Sequence, residues 1–204
     1  MAEAFAVLVE GIGSLDQFKD IRKDVRLAAV QAINKTAAGG RALLATAIRR
    51  QVNFPASYVG PANKRLYVSK QATRGDLEAK ITARGRPTSL ARFVRSANKT
   101  TKGVVVEVHP GKARLMKRAF LIKLPAGTGD IDTKFNMGLA IRLRPGETIK
   151  NKREARQMAK GLYLLYGPSV DQVFRAADGS GAAEDAVPTL EERLQREFFR
   201  LLEL

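Results

Sequence analysis

The feature that most limits the possible folds is a change of hydrophobic period within the first third of the chain. Leu15, Phe18, Ile21, Val25, Ala28, Ala29 and Ile33 recur at helical spacing, and the pattern continues through Ala37, Ala38, Leu43, Leu44, Ala47 and Ile48. Ser14 and Gln17 have the form of a capping box, with Asp16 in the first turn. The spacing predicts a helix over about 14–52, with Gly39 and Gly40 marking a break between two helices or a kink. Pro55 and the pair Gly60, Pro61 end it.

From about 64 to 145 the period is two. Leu66 and Val68 alternate with Tyr67 and Ser69, and Leu77, Ala79, Ile81 and Ala83 alternate with polar neighbours, as in half-buried antiparallel strands. Residues 104–108 form a strand-prone run stopped by His109, Pro110 and Gly111. Residues 119–124 form another, ended by Pro125, Ala126 and Gly127; Leu139, Ile141 and Leu143 belong to a third, closed by Pro145 and Gly146. Residues 5–9, Phe-Ala-Val-Leu-Val, read as a first strand, closed by Gly11 and Gly13.

A long helix followed by strands without a βαβ rhythm makes the class α+β. The expected architecture is a long, bent N-terminal helix packed on an antiparallel β-sheet, with a short helix and a C-terminal amphipathic helix. Near the end, residues 162–166 read as extended. Gly167, Pro168 and Ser169 then make a corner: glycine permits the turn, proline cannot continue a ladder, and serine caps the next helix. Val170, Val173 and Phe174 share one side of that helix. Residues 1–177 are expected to form one domain, with 178–188 as a flexible small-residue linker and 189–204 as the terminal helix. Thr189 to Glu192 has capping-box form, and Leu190, Leu194, Phe198 and Leu201 form an apolar stripe widened by Phe199, Leu202 and Leu204. So apolar a helix docks on its own domain or on another subunit.

The net charge is +16, and its placement carries more than its size. Residues 1–34 hold 4 Lys/Arg against 5 acids, residues 124–204 hold 12 against 12, and residues 35–123 hold 20 against 3. A basic excess confined to one segment points to a surface for a polyanion, most naturally nucleic acid, against the plainer reading of a solvated face. Within it, Arg84, Arg86, Arg92, Arg95, Lys99 and Lys102 lie in a stretch that Gly85, Pro87 and Ser89 keep irregular, expected as a loop facing DNA or an acidic protein surface. Lys112, Arg114, Lys117 and Arg118 form a second cluster that reinforces the first if adjacent. Phe93 alone is too little aromatic surface for a single-strand stacking platform.

The chain has no cysteine and one histidine, which rules out disulfides, thiolate metal sites and histidine-rich clusters. His109 has no carboxylate nearby in sequence to orient it and reads as a turn residue. Asp130 and Asp132 have the alternation of a cation pair but read as a solvated turn. Ser169 lacks the G-x-S-x-G frame, and no phosphate-binding glycine loop occurs. The expectation is a non-enzymatic protein without cofactor or metal. No apolar run approaches the roughly 20 residues of a membrane span. The first residues carry acids where a signal peptide carries Lys or Arg, so a soluble protein made in a cytoplasm is expected.

AINKTA at residues 32–37, RAFLIKL at 118–124 and LLYGPSVDQVF at 164–174, in this order and ahead of a terminal amphipathic helix, resemble tailed-phage tail-completion proteins. The nearest group is prophage minor tail protein Z, with looser similarity to neck and tail-component proteins of other long-tailed phages. The resemblance covers most of the chain from about residue 14. It implies a structural virion protein at the head–tail junction, assembled in the host bacterial cytoplasm as a homo-oligomeric, hexameric ring that borders the DNA channel. The implied partners are further copies of itself, tail terminator or tail tube proteins, head-completion or connector proteins, and genomic DNA, with no membrane. The terminal helix then supplies subunit contacts through Phe198, Phe199, Leu201 and Leu202. The alternative from composition alone is a free, sequence-nonspecific nucleic-acid-binding protein.

Overall fold

A computed structural model describes residues 23–95, 103–125, 136–149, 155–175 and 182–202. It is a mixed α+β fold, with an N-terminal helix, antiparallel strands in sheets and a C-terminal helix. Helix α1 runs Lys23–Gln51, followed by strands β1 (Leu66–Lys70), β2 (Lys80–Ala83), β3 (Thr88–Ser89), β4 (Gly103–Val106) and β5 (Arg114–Lys117). Then come β6 (Ala119–Lys123), β7 (Met137–Arg142), β8 (Ala155–Ala159) and β9 (Leu162–Gly167), and helices α2 (Val170–Arg175) and α3 (Ala182–Leu201). Residues 5–9, expected as a first strand, and the helical spacing over 14–22 lie outside the described residues.

The strands form three antiparallel groups rather than one sheet. β1 pairs with β2, β4 pairs with β5, and a five-stranded sheet has the order β3-β9-β7-β6 with β8 also on β9. β2 begins only at Lys80, so Leu77 and Ala79 precede it. In that connection Asp76 and Glu78 are both drawn to Lys70 Nζ, at 2.6 and 2.5 Å, while Thr73 and Asp76 pair backbone to backbone. The two carboxylates, Asp76 first, hold the Lys70 ammonium above its usual pKa.

α1 meets the strands through β1 and β2, and one core joins Leu44, Ile48 and Val52 of α1 to Leu66, Ile81, Leu139, Leu165, Val170 and Phe174. Phe54 anchors the middle of this core, stacked on Tyr58 at 5.4 Å and tilted against Phe93 at 5.5 Å. The five-stranded sheet has a second, smaller apolar cluster on its other face. Gly138 lacks a side chain, and Leu124 and Leu164 close over it beside Ala140.

α1 passes through Gly39 and Gly40 as one helix. The glycines make room for α3, which lies along α1: a Cβ on Gly40 would fall 2.6 Å from Leu190 Cδ2, and one on Gly39 would run into the Arg193 guanidinium. Lys35 Nζ reaches Glu197 Oε2 at 2.8 Å across the same contact. Residues 182–188, expected as linker, belong to α3, with Pro188 inside the helix. Alanines favour helix and acids suit its first turn, and burial of Ala186 and Leu190 outweighs the bond lost at Pro188. The terminal helix thus docks on its own domain.

The corner before α2 is a reciprocal capping box. The Gln172 amide donates to Ser169 Oγ at 3.0 Å, and the Ser169 amide donates to Gln172 Oε1 at 2.8 Å. Gly167 packs closely under Leu90 and Phe93, and Val170, Val173 and Phe174 are buried on one side of the helix.

Candidate polyanion-binding interface

The C-terminal end of α1 and the β4–β5 hairpin build one corner of the molecule. The last carbonyls of a helix carry partial negative charge and lack internal donors, so cations and outside donors collect there. Arg49 and Arg50 occupy the last turn, and Arg49 Nε donates to Phe54 O at 3.3 Å. His109 Nδ1 donates to Gln51 O at 3.0 Å, so the single histidine caps α1 from the hairpin turn. Asn53 fastens the same junction, its amide donating to Val108 O at 2.8 Å and its Nδ2 to Glu107 O at 3.1 Å.

Glu107 organises the turn. Its side chain is almost wholly buried; Oε1 accepts from the Gly111 amide at 2.7 Å, and Oε2 pairs with Arg95 Nε. Gly111 sits at φ 72°, a conformation that glycine adopts without strain, and the Lys112 amide closes the turn on His109 O at 3.0 Å. Val94 bridges Val106, and Val106 pairs with Arg114, so the chain around Arg95 runs beside β4 with β5 on its other edge.

The ten basic residues expected at an interface therefore divide. Arg95, Lys112 and Arg114 lie at the turn end of the β4–β5 hairpin, where His109 reaches the end of α1 that carries Arg50, whereas Lys117 sits at the far end of β5, opposite Gly103 and on the other face of the strand from Arg114. Lys112, Arg114 and Lys117 are exposed and have no carboxylate within ion-pair distance among the described residues. Arg118 adjoins them but is committed: at φ 62° it turns the chain from β5 into β6, and its two terminal nitrogens each reach a Glu147 oxygen at 3.0 Å. That guanidinium, and then the Arg144 amide at 2.8 Å, hold the Glu147 carboxyl below its usual pKa.

Of the stretch expected as a DNA-facing loop, residues 84–95 are described, and they alternate between buried and exposed positions. Thr88 and Ser89 are buried as β3 against β9, and Ala91 and Phe93 are buried in the short turn of helix Leu90–Phe93. Arg92 faces Tyr58, with its Cζ 4.6 Å from the ring centroid, and buried Arg65 lies 3.9 Å from the same ring. Tyr58 completes this site with a 2.9 Å bond between its hydroxyl and Thr88 Oγ1. Arg84 extends the backbone ladder, its amide donating to Arg65 O at 2.9 Å, and Arg86 is exposed. Lys99 and Lys102 lie outside the described residues, as do Asp130 and Asp132.

All three carboxylates of the basic segment are spoken for within it, Asp76 and Glu78 by Lys70 and Glu107 by Arg95. Glu197 and Glu147, from outside it, take Lys35 and Arg118. On α3, Phe198, Leu201 and Leu202 are half-buried, and Phe199 is 51% exposed. Sequence reasoning missed Arg50 and Asn53. The visible signal was a basic pair at a helix end, uninterpretable without the hairpin that meets it.

Among the described residues no cluster of acids and histidine could hold a metal ion, and no helix is long and apolar enough to cross a membrane. No family model, curated protein or solved structure matches the chain.

Proposed function

We propose that this chain is a non-enzymatic virion subunit, a tail-completion or neck ring component at the head-proximal end of a phage tail. It joins tail to head and presents its basic corner to the DNA channel. The motif order in the sequence motivates the reading. The observation that supports it in the fold is that Lys112, Arg114 and Lys117 on the β4–β5 hairpin are exposed, while the three acids of the basic segment are taken by Lys70 and Arg95. Cations on a hairpin neutralise phosphates without reading bases, which suits DNA that slides past. The long helix against the strands serves as scaffold, and the exposed Phe199 of α3 is available to a neighbouring subunit.

The test is loss of the gene product. Electron microscopy of lysates from a phage carrying an early stop in this reading frame should show filled heads and tails that fail to join. Normal complete particles would refute the proposal. The same cations support a second reading, a free nonspecific DNA-binding protein. It requires submicromolar duplex binding by the isolated chain and its absence from purified particles.

A further inference from the structure

The outer face of the five-stranded sheet carries a row of side chains that crosses four strands. Phe120 of β6 stands opposite Ala140 of β7, Ala140 opposite Leu164 of β9, and Leu164 opposite Arg156 of β8. Residues paired across strands share a face, so the row is three strand spacings long, about 14 Å. Its two ends are exposed, Phe120 at one and Arg156 at the other; its middle is apolar, with Ala140 and Leu164 packed among half-buried Ile122, Leu162 and Tyr166. A second exposed line runs along α3. Glu191, Gln195 and Phe199 recur every four residues, so they form one ridge, and all three are exposed. Glu191 and Phe199 are eight residues apart, about 12 Å along the axis. The row thus has an aromatic ring and a guanidinium at its ends, and the ridge has an aromatic ring and a carboxylate, at nearly the same spacing. α3 is seated on α1 through Leu190 and Arg193, which keeps the ridge from turning onto the sheet of its own chain.

We propose that the Glu191–Phe199 ridge of one copy docks on the Phe120–Arg156 row of a second copy. This rests on the subunit reading above and names the two surfaces that join the copies. Phe199 packs on Phe120, Gln195 lies over the apolar middle, and Glu191 reaches Arg156. Arg142, exposed on the same face opposite Leu162, places a second cation beside that carboxylate. An apolar contact flanked by opposite charges fixes orientation as well as partner. The two surfaces differ, so the contact is head-to-tail: each copy offers one of each, and repetition about an axis closes a ring.

The chain has no cysteine, so engineered pairs report directly. Full-length chains carrying Phe199→Cys, mixed with chains carrying Phe120→Cys, should form a 120–199 disulfide at least about tenfold faster than Phe199→Cys chains mixed with an Arg74→Cys control. Glu191→Cys chains mixed with Arg156→Cys chains, both at exposed polar positions, should do the same. Arg142→Glu and Arg156→Glu together, placed on the Phe120→Cys chain, should slow the 120–199 bond about tenfold. Rates equal to the control, or indifferent to the charge reversal, would overturn the proposal. So would 199–199 or 120–120 disulfides that outnumber 120–199. The junction reading fails separately: a fast 120–199 bond in a chain that particles lack sinks that reading alone, and a junction ring without the bond sinks this interface alone.

Discussion

Two adjacent glycines in α1 should respond with opposite sign to the same substitution. Alanine in place of glycine inside a helix gains about 1 kcal/mol from propensity and the unfolded chain. At Gly39 the new methyl meets only the guanidinium end of half-buried Arg193, which can swing toward solvent, so Gly39→Ala should keep most of that gain. At Gly40 the methyl falls 2.6 Å from Leu190 Cδ2 and 3.5 Å from Ile81 Cδ1, and Leu190 is 3% exposed, so it can give way only by repacking against its buried neighbours. Overpacking of that kind costs about 1–3 kcal/mol, so Gly40→Ala should be destabilising by up to about 2 kcal/mol net. Leu190→Ala alone should cost about 2–5 kcal/mol, more because Leu190 already lines a small apolar cavity with Ile33, Thr36 and Leu194. The double variant should be less damaged than the sum, by about 1–2 kcal/mol, because the methyl added at Gly40 occupies space Leu190 vacates. Urea unfolding of the four chains measures the cycle. Equal stabilisation by both glycine substitutions, with additive behaviour at Leu190, would show that α3 does not seat on the glycines.

Removing the cap at the α2 corner with Ser169→Ala should cost about 1 kcal/mol in urea unfolding, and Gln172→Ala less, since only the serine satisfies a helix amide. The Arg118–Glu147 clasp predicts an acid limb. A carboxyl held below its ordinary value of 4.5 stabilises the fold above that pH, and the contribution is lost as pH falls through the folded value. A Glu147→Gln chain should accordingly show a flatter melting temperature between pH 6 and pH 3 than the parent, within about a unit of that range; an unchanged profile would show the clasp is not formed. For DNA, Lys112→Ala, Arg114→Ala and Lys117→Ala together should lower the salt slope of duplex binding by about 2.7. Arg92→Ala, which removes a contact to Tyr58, should lower stability and leave that slope alone.

The strands with one clean apolar face were legible in the sequence. β6, β7 and β9 lie where alternation and Pro/Gly stops placed them, and the Ser169 corner could be read from three residues. β5 and β8 were not, because Arg-Leu-Met-Lys and Ala-Arg-Gln-Met-Ala show no apolar–polar alternation and are held by their hairpin partners. Gly39 and Gly40 looked like a break because helix propensity is local, whereas their role is to admit α3 from over 140 residues away. The buried residues within the basic stretch were hidden for a related reason. Its arginines drew attention away from Thr88, Ser89, Ala91 and Phe93, which are buried between exposed Arg86 and Arg95.

The central claim is a ring at the head–tail junction with the β4–β5 hairpin toward the channel. Cryo-electron microscopy of intact particles from the phage encoding this chain tests it most directly. The account predicts a closed ring of this subunit at the tail's head-proximal end, with Lys112, Arg114 and Lys117 lining the lumen. A particle that lacks the chain, or a ring whose basic corner points to the outside, would contradict it.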